Sequence, residues 1–306
     1  MQAIQKVVVM GAGAMGAYFA SCFYDAPGFS TFLLAKGERL EKLNKDGLII
    51  NSRHYLIKAV DPEKVDSPAD LIIVALKHHQ LVESIGELKR LVGPATTILS
   101  VMNGLESEEM IGAKYGMDKL LYTISVGIDA LREGNTIVYT KPGTHYFGEA
   151  QNPIITPKVR RVQEAFKQAG IAFETPPDMV RMLWWKFMIN VGMNQASAIT
   201  RAPYGVFHNN THAQALMEAL MQEVIILAGA EKVNLNDQDI VDWYHFLNML
   251  SPIGKTSMLQ DIEAKRKTEV EIFGGKVVEL GKIHNIPTPV NQTAYRTIKV
   301  IEDNYL

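Results

Sequence analysis

The sequence of 306 residues is short of several features that mark particular classes of protein. It has a single cysteine, Cys22, which excludes an internal disulfide framework and a cysteine-cluster metal site. Neither charge dominates, since 31 basic residues face 33 acidic ones, and this argues against binding to nucleic acid or to an anionic membrane. No apolar run reaches the ~18 residues that a membrane-spanning helix needs, and the apolar residues 7–10 are too few for a signal peptide. We therefore expect a soluble, cytoplasmic protein that binds neither nucleic acid nor membrane.

The composition is that of a globular chain, with 47% hydrophobic and 21% charged residues. At about 150 residues per domain, the length predicts two domains. In the first half, helical patterns alternate with short apolar runs at residues 6–10, 31–35, 71–76 and 96–101. This alternation predicts an α/β fold with a Rossmann-type, doubly wound parallel sheet covered on both faces. A hairpin that turns at Pro142-Gly143 is expected over residues 136–148, near the edge of that sheet.

The pattern changes after Pro176-Pro177, where strand signals nearly vanish. Helical patterns then occupy residues 180–199, 213–230, 237–250, 256–284 and 291–303. The proline pair therefore predicts a boundary between an α/β domain of residues 1–177 and an all-helical domain of residues 178–306.

The strongest local signal is a glycine-rich turn that follows the first apolar run and opens a helix. Gly11 permits a tight turn, Gly13 lets the backbone approach a pyrophosphate, and Gly16 allows the helix to pack closely on the strand. The alternative is a plain glycine-rich turn between a strand and a helix. The context predicts a dinucleotide-binding domain over residues 1–177, with the cofactor contacted by Gly11, Ala12, Gly13, Ala14, Met15 and Gly16.

The end of the second apolar run predicts which dinucleotide is bound. An enzyme selective for NAD normally has Asp or Glu there to accept a hydrogen bond from the ribose 2′-hydroxyl. This chain has Lys36, with Arg39 close behind, and both cations would neutralise a 2′-phosphate. Glu38 weakens this inference slightly, and a solvated basic loop is the alternative. The sequence therefore favours NADP(H) over NAD(H).

Two further polar positions follow predicted strands. Lys77 comes after the third apolar run and Asn103, with Gly104 behind it, after the fourth. Ligands of open α/β sheets gather at the carboxyl ends of strands, so both residues are candidates for contact with the cofactor, although ordinary polar loop caps would look the same. A metal site or an acid-base pair at His78 and His79 is disfavoured, because adjacent residues point apart and no carboxylate cluster joins them.

The helical half contains a polar stripe on an apolar helix. Lys186, Asn190 and Asn194 are spaced at i, i+4 and i+8 and therefore share one helix face. Desolvation would disfavour the charge of Lys186, which suits a general acid that donates a proton near neutral pH. The alternative is a solvent-facing stripe with a snorkelling lysine.

Together these motifs resemble the ketopantoate reductase family, the 2-dehydropantoate 2-reductases. The resemblance spans almost the whole chain: GAGAMG at residues 11–16, Lys77, Asn103-Gly104, the Lys186 stripe, SMLQD from Ser257, and R-x-T-E ending at Glu269. It implies NADPH-dependent reduction of the ketone of 2-dehydropantoate to pantoate, a step of pantothenate and coenzyme A synthesis. The implied partner is a small 2-keto acid, and a homodimer is left open.

The resemblance also implies roles for individual residues. Lys186 matches the general acid, and Glu269 matches the acid that the family uses beside the cofactor and the substrate. Lys77 and Asn103 match positions on the nicotinamide side of the cofactor, with Asn103 also reaching the substrate. The hydroxyl and carboxylate ends of the substrate are expected to bind Asn190, Asn194 and Ser257, and Lys186 is also expected to contact the substrate.

Tyr204 and Gly254 depart from the family pattern, which often has Asn at both positions. Both positions border the substrate in the family, so a related branched 2-keto acid stays open as the substrate. A β-hydroxyacid dehydrogenase is a second alternative, disfavoured by the Pro176-Pro177 junction and by the motifs of Ser257 and Glu269. A non-catalytic NADPH-binding sensor is a third, although it would be expected to have lost the lysine or Glu269.

Overall fold

The computed structural model describes residues 3–305 and divides into two compact units after Val180. The division lies three residues beyond the boundary expected after Pro177. The strands of the first unit are β1 (Lys6–Met10), β2 (Ser30–Leu34), β3 (Leu48–Ile50), β4 (Arg53–Tyr55), β5 (Ala59–Val60), β6 (Leu71–Val74), β7 (Thr97–Ser100), β8 (Leu120–Ile128), β9 (Leu131–Glu133), β10 (Thr136–Val138), β11 (Pro142–Gly148) and β12 (Phe173–Glu174). Its helices are α1 (Ala14–Asp25), α2 (Gly37–Asp46), α3 (His78–Ser84), α4 (Ser107–Tyr115) and α5 (Pro157–Gln168).

The main sheet of the first unit has the strand order β12-β11-β8-β7-β6-β1-β2-β5. Its neighbouring strands are parallel, except that β11 runs antiparallel to β8. The chain builds outward from β1 in both directions, first through β2 and then, on the other side, through β6. The predicted Rossmann-type, doubly wound sheet is therefore confirmed, and its topological switch lies between β1 and β6.

Residues of β1 explain why both faces of this sheet are covered. Val7 and Val9 belong to one buried cluster together with side chains of α1 and α5, whereas Val8 and Met10 belong to another with side chains of α3 and α4. Because successive side chains of a strand point to opposite faces, an uninterrupted apolar run needs helices on both.

A smaller sheet has the order β4-β3-β10-β9, and it corrects the expected hairpin. β10 pairs with β9 across a turn at Gly134 (φ +61°), while β11 pairs with β8 in the main sheet. The expected hairpin over residues 136–148 is therefore wrong. Gly143 marks a close approach rather than a turn, since a Cβ there would lie 2.5 Å from the carbonyl oxygen of Val126.

The helical segments that follow are α6 (Met179–Ile189), a π-helical turn (Asn190–Asn194), α7 (Gln195–Thr200), α8 (Tyr204–Asn209), α9 (Thr211–Ala230), α10 (Asp237–Leu247), α11 (Ser257–Glu263), a short 3₁₀ helix (Val270–Ile272), α12 (Gly274–His284) and α13 (Pro289–Asp303). The single helix expected over residues 256–284 is wrong. The helix ends at Glu263, and Lys265 adopts a left-handed conformation (φ +52°) that turns the chain. α8 was not expected.

α9 is long and apolar enough to cross a membrane by length and composition. It also carries Glu223, which is 7% exposed. The Glu223 carboxylate accepts hydrogen bonds from the amides of Val290 and Asn291 and from Nδ2 of Asn291, at 2.8–2.9 Å. Since these donors belong to the first turn of α13, the carboxylate ties α9 to another helix of its own unit.

Candidate active site

The glycine turn of the first unit is shaped by contacts on one side and by open space on the other. A Cβ at Gly11 would lie 2.3 Å from the carbonyl oxygen of Ala75, and one at Gly16 would lie 1.7 Å from that of Gly11. At Gly13, by contrast, no atom of the described residues comes within 4 Å of such a Cβ. Gly13 is the N-cap of α1 and makes no side-chain cap, so the first-turn amides of α1 can bind an anion.

Lys77 and Asn103 flank this turn because their strands are neighbours in the sheet. β6 lies between β1 and β7, and Val74 is in register with Ser100. The loops after β6 and β7 therefore leave the same edge of the sheet side by side. The amide of Lys77 donates to Oε1 of Gln80 at the start of α3, and both Lys77 and Asn103 are partly buried. The structure thus brings together the glycine turn, Lys77 and Asn103, as the strand order requires.

Lys36 lies where it was expected, just after β2, but its charge is already balanced. Its Nζ atom donates to Oε1 of Glu63 at 3.0 Å and lies 3.6 Å from Oε1 of Glu87. The hydrogen bond that Lys36 donates to Glu63 raises the pKa of Lys36. Sequence reasoning missed a different cation beside the turn, Arg132, whose guanidinium donates to the carbonyl oxygen of Ala12. A contact between residues so far apart in the chain leaves no local signal.

In the second unit the predicted polar stripe includes the π-helical turn Asn190–Asn194. In an α-helix, side chains four residues apart drift by about 40° around the axis, and the wider π turn reduces that drift between Asn190 and Asn194. Both asparagines are buried, and Nδ2 of Asn194 donates to Oδ1 of Asn190 at 3.3 Å. π turns of this kind are frequent at functional sites.

Ser257 is brought to this stripe by the first turn of α11. Its hydroxyl donates to Oδ1 of Asn194 at 3.2 Å, and the amide of Met258 donates to the same oxygen at 3.3 Å. The hydroxyl of Thr256 caps α11 by accepting from the amide of Leu259. The structure therefore joins Asn190, Asn194 and Ser257 in one hydrogen-bonded chain.

Lys186 lies one turn before Asn190, among large apolar side chains. Its neighbours Leu183, Trp184, Trp185 and Phe187 are all at most 7% exposed. Desolvation by burial lowers the pKa of Lys186 to about 8. Among the described residues no carboxylate pairs with its Nζ atom, so no opposite charge offsets this effect.

Glu269 lies in the segment that interrupts the expected long helix. This segment is held from α13, where Oε1 of Glu302 accepts from the amide and the hydroxyl of Thr268 at 2.7 and 2.6 Å. Nζ of Lys299 donates to the other oxygen of Glu302 at 2.8 Å. The break in the helix thus fixes the position of a partly buried acid, Glu269, in the same unit as Lys186.

The two departures from the family pattern touch each other. The amide of Tyr204 donates to the carbonyl oxygen of Gly254 at 2.9 Å, and a Cβ at Gly254 would lie 3.0 Å from the Tyr204 ring. Burial raises the pKa of Tyr204 to about 12, so its phenol is neutral near pH 7. The tyrosine ring therefore occupies space that any larger residue at position 254 would need.

Comparison with known proteins decides the family. A model of the ketopantoate reductase family, PanE/ApbA, matches residues 7–152, and the model of its C-terminal part matches residues 178–302. The chain belongs to the ketopantoate reductase family. The family assigns it to the oxidoreductases, with a Rossmann-type unit for binding NAD(P).

Individual relatives agree with this assignment over nearly the whole chain. The 2-dehydropantoate 2-reductase of Archaeoglobus fulgidus is 26% identical over 302 residues, which cover 98% of each chain. A structure of D-mandelate dehydrogenase with NADH and anilino(oxo)acetate has a TM-score of 0.89 at 20% identity, covering 98% of this chain and 99% of that one. A dimeric ketopantoate reductase from Staphylococcus aureus has a TM-score of 0.81 at 21% identity, covering 98% of this chain and all of the other. These structures have the same fold as this chain.

Proposed function

We propose that this protein reduces the ketone of 2-dehydropantoate to pantoate with NADPH, as a step of pantothenate and coenzyme A synthesis. The observation that carries the proposal is Lys186, a partly buried amine whose pKa is lowered to about 8, on one helix face with Asn190 and Asn194. Membership of the ketopantoate reductase family supports the reaction type.

The first unit suits a dinucleotide by its backbone. The open side of Gly13 and the uncapped first turn of α1 fit a pyrophosphate, with Gly11, Ala12, Ala14, Met15 and Gly16 forming the rest of the turn. Lys77 and Asn103 are proposed to border the nicotinamide end, because Lys77 follows β6, which borders the topological switch, and Asn103 follows the neighbouring strand β7. When bound, the dinucleotide supplies the hydride. The 20%-identical D-mandelate dehydrogenase, solved with NADH, supports this class of cofactor.

The second unit supplies the proton and holds the substrate. Hydride addition to a ketone leaves negative charge on its oxygen, and we assign to Nζ of Lys186 the tasks of stabilising that charge and donating the proton. Asn190, Asn194 and Ser257 are assigned to the hydroxyl and carboxylate ends of the substrate. Glu269, whose segment is anchored by Glu302, is assigned to the same site beside the cofactor and the substrate.

A second candidate substrate is a related 2-keto acid with a different side chain. The observation that favours it is the contact between Tyr204 and Gly254, which places an aromatic ring where the family often has asparagine. The likeness of fold to D-mandelate dehydrogenase, solved with anilino(oxo)acetate, points in the same direction.

The test is the decay of NADPH absorbance with 2-dehydropantoate, with branched 2-keto acids and with aromatic 2-keto acids. The proposal expects the highest kcat/KM for 2-dehydropantoate. A clear preference for another 2-keto acid would identify that acid as the substrate and would leave the proposed reaction type unchanged. Oxidation of 3-hydroxy acids with NADP would instead indicate a β-hydroxyacid dehydrogenase. NADPH binding without turnover of any substrate would indicate a sensor.

We also propose that the protein is a soluble cytoplasmic homodimer. Support for a dimer comes from the S. aureus ketopantoate reductase, which is described as dimeric. Light scattering of the purified protein should give twice the chain mass of 34.1 kDa. A mass equal to that of one chain at working concentrations would contradict it.

A further inference from the structure

Arg132 connects the small sheet to the glycine turn. It lies on β9, and its Nε atom donates to the carbonyl oxygen of Gly134 at 2.8 Å while Nη1 donates to that of Ala12. These two bonds hold the guanidinium against the loop between β1 and α1. The planar fork of an arginine has five N–H donors, so donors remain for a further ligand.

A second arginine, Arg39, lies near enough to Arg132 for their charges to interact. Arg39 lies in the first turn of α2, directly after β2. The pKa of Arg132 is lowered, first by desolvation and then by the positive charge of Arg39. Among the described residues neither arginine forms an ion pair, although the exposed Glu38 is next to Arg39 in sequence. Two cations that repel each other without a carboxylate form a suitable site for an anion.

Lys36 contrasts with this pair. Its ammonium is engaged by Glu63 and Glu87, so a phosphate on Lys36 would have to displace carboxylates or lie beside them. A phosphate on the two arginines would meet no such competition, and guanidinium forks match phosphate oxygens in geometry.

We propose that Arg132 and Arg39 bind the 2′-phosphate of the NADPH adenosine ribose, and that Arg132 contributes more to the preference for NADPH than Lys36. The inference rests on the proposed function, since it assumes that the glycine turn binds NADPH. In a Rossmann-type unit the adenosine ribose lies between the glycine turn and the end of the second strand. Arg132 is bonded to the first of these features, and Arg39 follows the second.

The test uses two probes that differ only by the phosphate in question, adenosine 2′,5′-bisphosphate and adenosine 5′-monophosphate. Calorimetric titration gives the ratio of their affinities for the unmodified protein and for Arg132→Gln, Arg39→Gln and Lys36→Gln. Arg132→Gln should reduce affinity for the bisphosphate on the order of 10- to 100-fold, the value of a charge-assisted hydrogen bond, and leave the monophosphate nearly unchanged. Lys36→Gln should change the ratio less than about threefold, as expected for an exposed ion pair.

Two further variants separate phosphate binding from support of the loop. Arg132→Lys keeps the positive charge but loses the planar fork of donors. Its affinity for the bisphosphate should therefore lie between that of the unmodified protein and that of Arg132→Gln. Arg39 makes no bond to the turn, so Arg39→Gln should fold normally and still lose affinity for the bisphosphate several-fold. Loss of affinity for the bisphosphate alone in both Arg132→Gln and Arg39→Gln would support the proposal.

Other outcomes would overturn it. If Arg132→Gln lowers the affinity for both probes equally and Arg39→Gln changes neither affinity, Arg132 only supports the turn. If Lys36→Gln changes the ratio of affinities more than Arg132→Gln does, Lys36 is the residue that distinguishes NADPH from NADH. If the unmodified protein binds both probes equally, there is no 2′-phosphate site. Reduction of the keto acid could then still proceed with NADH, so the two failures are distinguishable.

Discussion

The two units form their candidate sites in different ways. In the first unit the ligand space is defined by missing side chains, above all at Gly13, and by backbone amides at the start of α1. In the second unit it is defined by polar side chains on one helix face, a partly buried amine and two buried amides. The first site should therefore be sensitive to added bulk, whereas the second should be sensitive to the loss of single polar atoms.

Removal of the Lys186 amine should have the largest effect. Lys186→Ala is expected to lower kcat on the order of 10²- to 10⁴-fold, the contribution of a positioned general acid. Affinity for NADPH, which we assign to the first unit, should change little. Steady-state kinetics and fluorescence titration measure the two quantities, with the exposed Lys282→Ala as a matched control. Near-normal turnover in Lys186→Ala would mean that another group supplies the proton.

Added bulk in the glycine turn should distinguish its packed side from its open side. Gly16→Val should destabilise the fold by more than about 3 kcal/mol, because its Cβ would collide with the carbonyl of Gly11. Gly13→Val should fold normally and fail to bind NADPH, because its side chain would fill the space of the pyrophosphate. Urea unfolding and NADPH titration give the two results. A folded Gly13→Val variant with unchanged affinity would place the dinucleotide elsewhere.

The role of the Asn194 side-chain amide can be tested by comparing its removal with the removal of an exposed asparagine side chain. Asn194→Ala removes the acceptor of Ser257 and leaves the buried amide of Met258 without its partner. We expect a loss of about 1–3 kcal/mol in stability and a higher KM for the keto acid. Asn209→Ala, at the exposed end of α8, is the control and should change neither quantity. If the two variants have the same stability and the same KM, the hydrogen-bonded chain from Asn190 to Ser257 contributes neither to stability nor to substrate binding.

The lowered pKa of Lys186 should make activity and stability respond to pH in opposite directions. The protonated amine is the acid, so kcat should fall as the pH rises through about 8. Below that pH the amine is charged in both the folded and the unfolded chain, and the folded state bears the whole cost of desolvation. Lys186→Met should therefore raise the melting temperature by a few degrees at pH 7, and its advantage should shrink as the pH rises from about 8 towards 10.5. A constant advantage at every pH would contradict the assignment of this pKa.

Features that depend on backbone sterics or on short-range periodicity could be predicted from the sequence. The strand before Gly11, the doubly wound sheet and the spacing of Lys186, Asn190 and Asn194 are of this kind, because each is specified by residues within a few positions. The π turn inside the stripe was not visible, since its spacing of four residues also fits an α-helix.

Features that depend on distant partners could not be predicted. The ion pairs of Lys36 with Glu63 and Glu87 join separate loops by long, exposed side chains. Arg132 reaches Ala12 across 120 positions of the chain. The turn at Lys265, which ends α11, has no glycine or proline to announce it. Ser257 and Glu269 stood out only through the family resemblance, because most of residues 256–269 read as a solvated helix face.

The π turn has a consequence for insertions and deletions. It amounts to one extra residue accommodated within a continuous helix, at the cost of regular i→i+4 bonding. Deleting Val191 would restore an ordinary α-helix, and the segment taken by itself would then be a more stable helix. Because the π turn already absorbs that residue, the same deletion should leave the segment after it near its present orientation and change mainly the alignment of Asn190 with Asn194, which would then be three residues apart. The number of residues between Asn190 and Asn194 is therefore set by the alignment of their two amides.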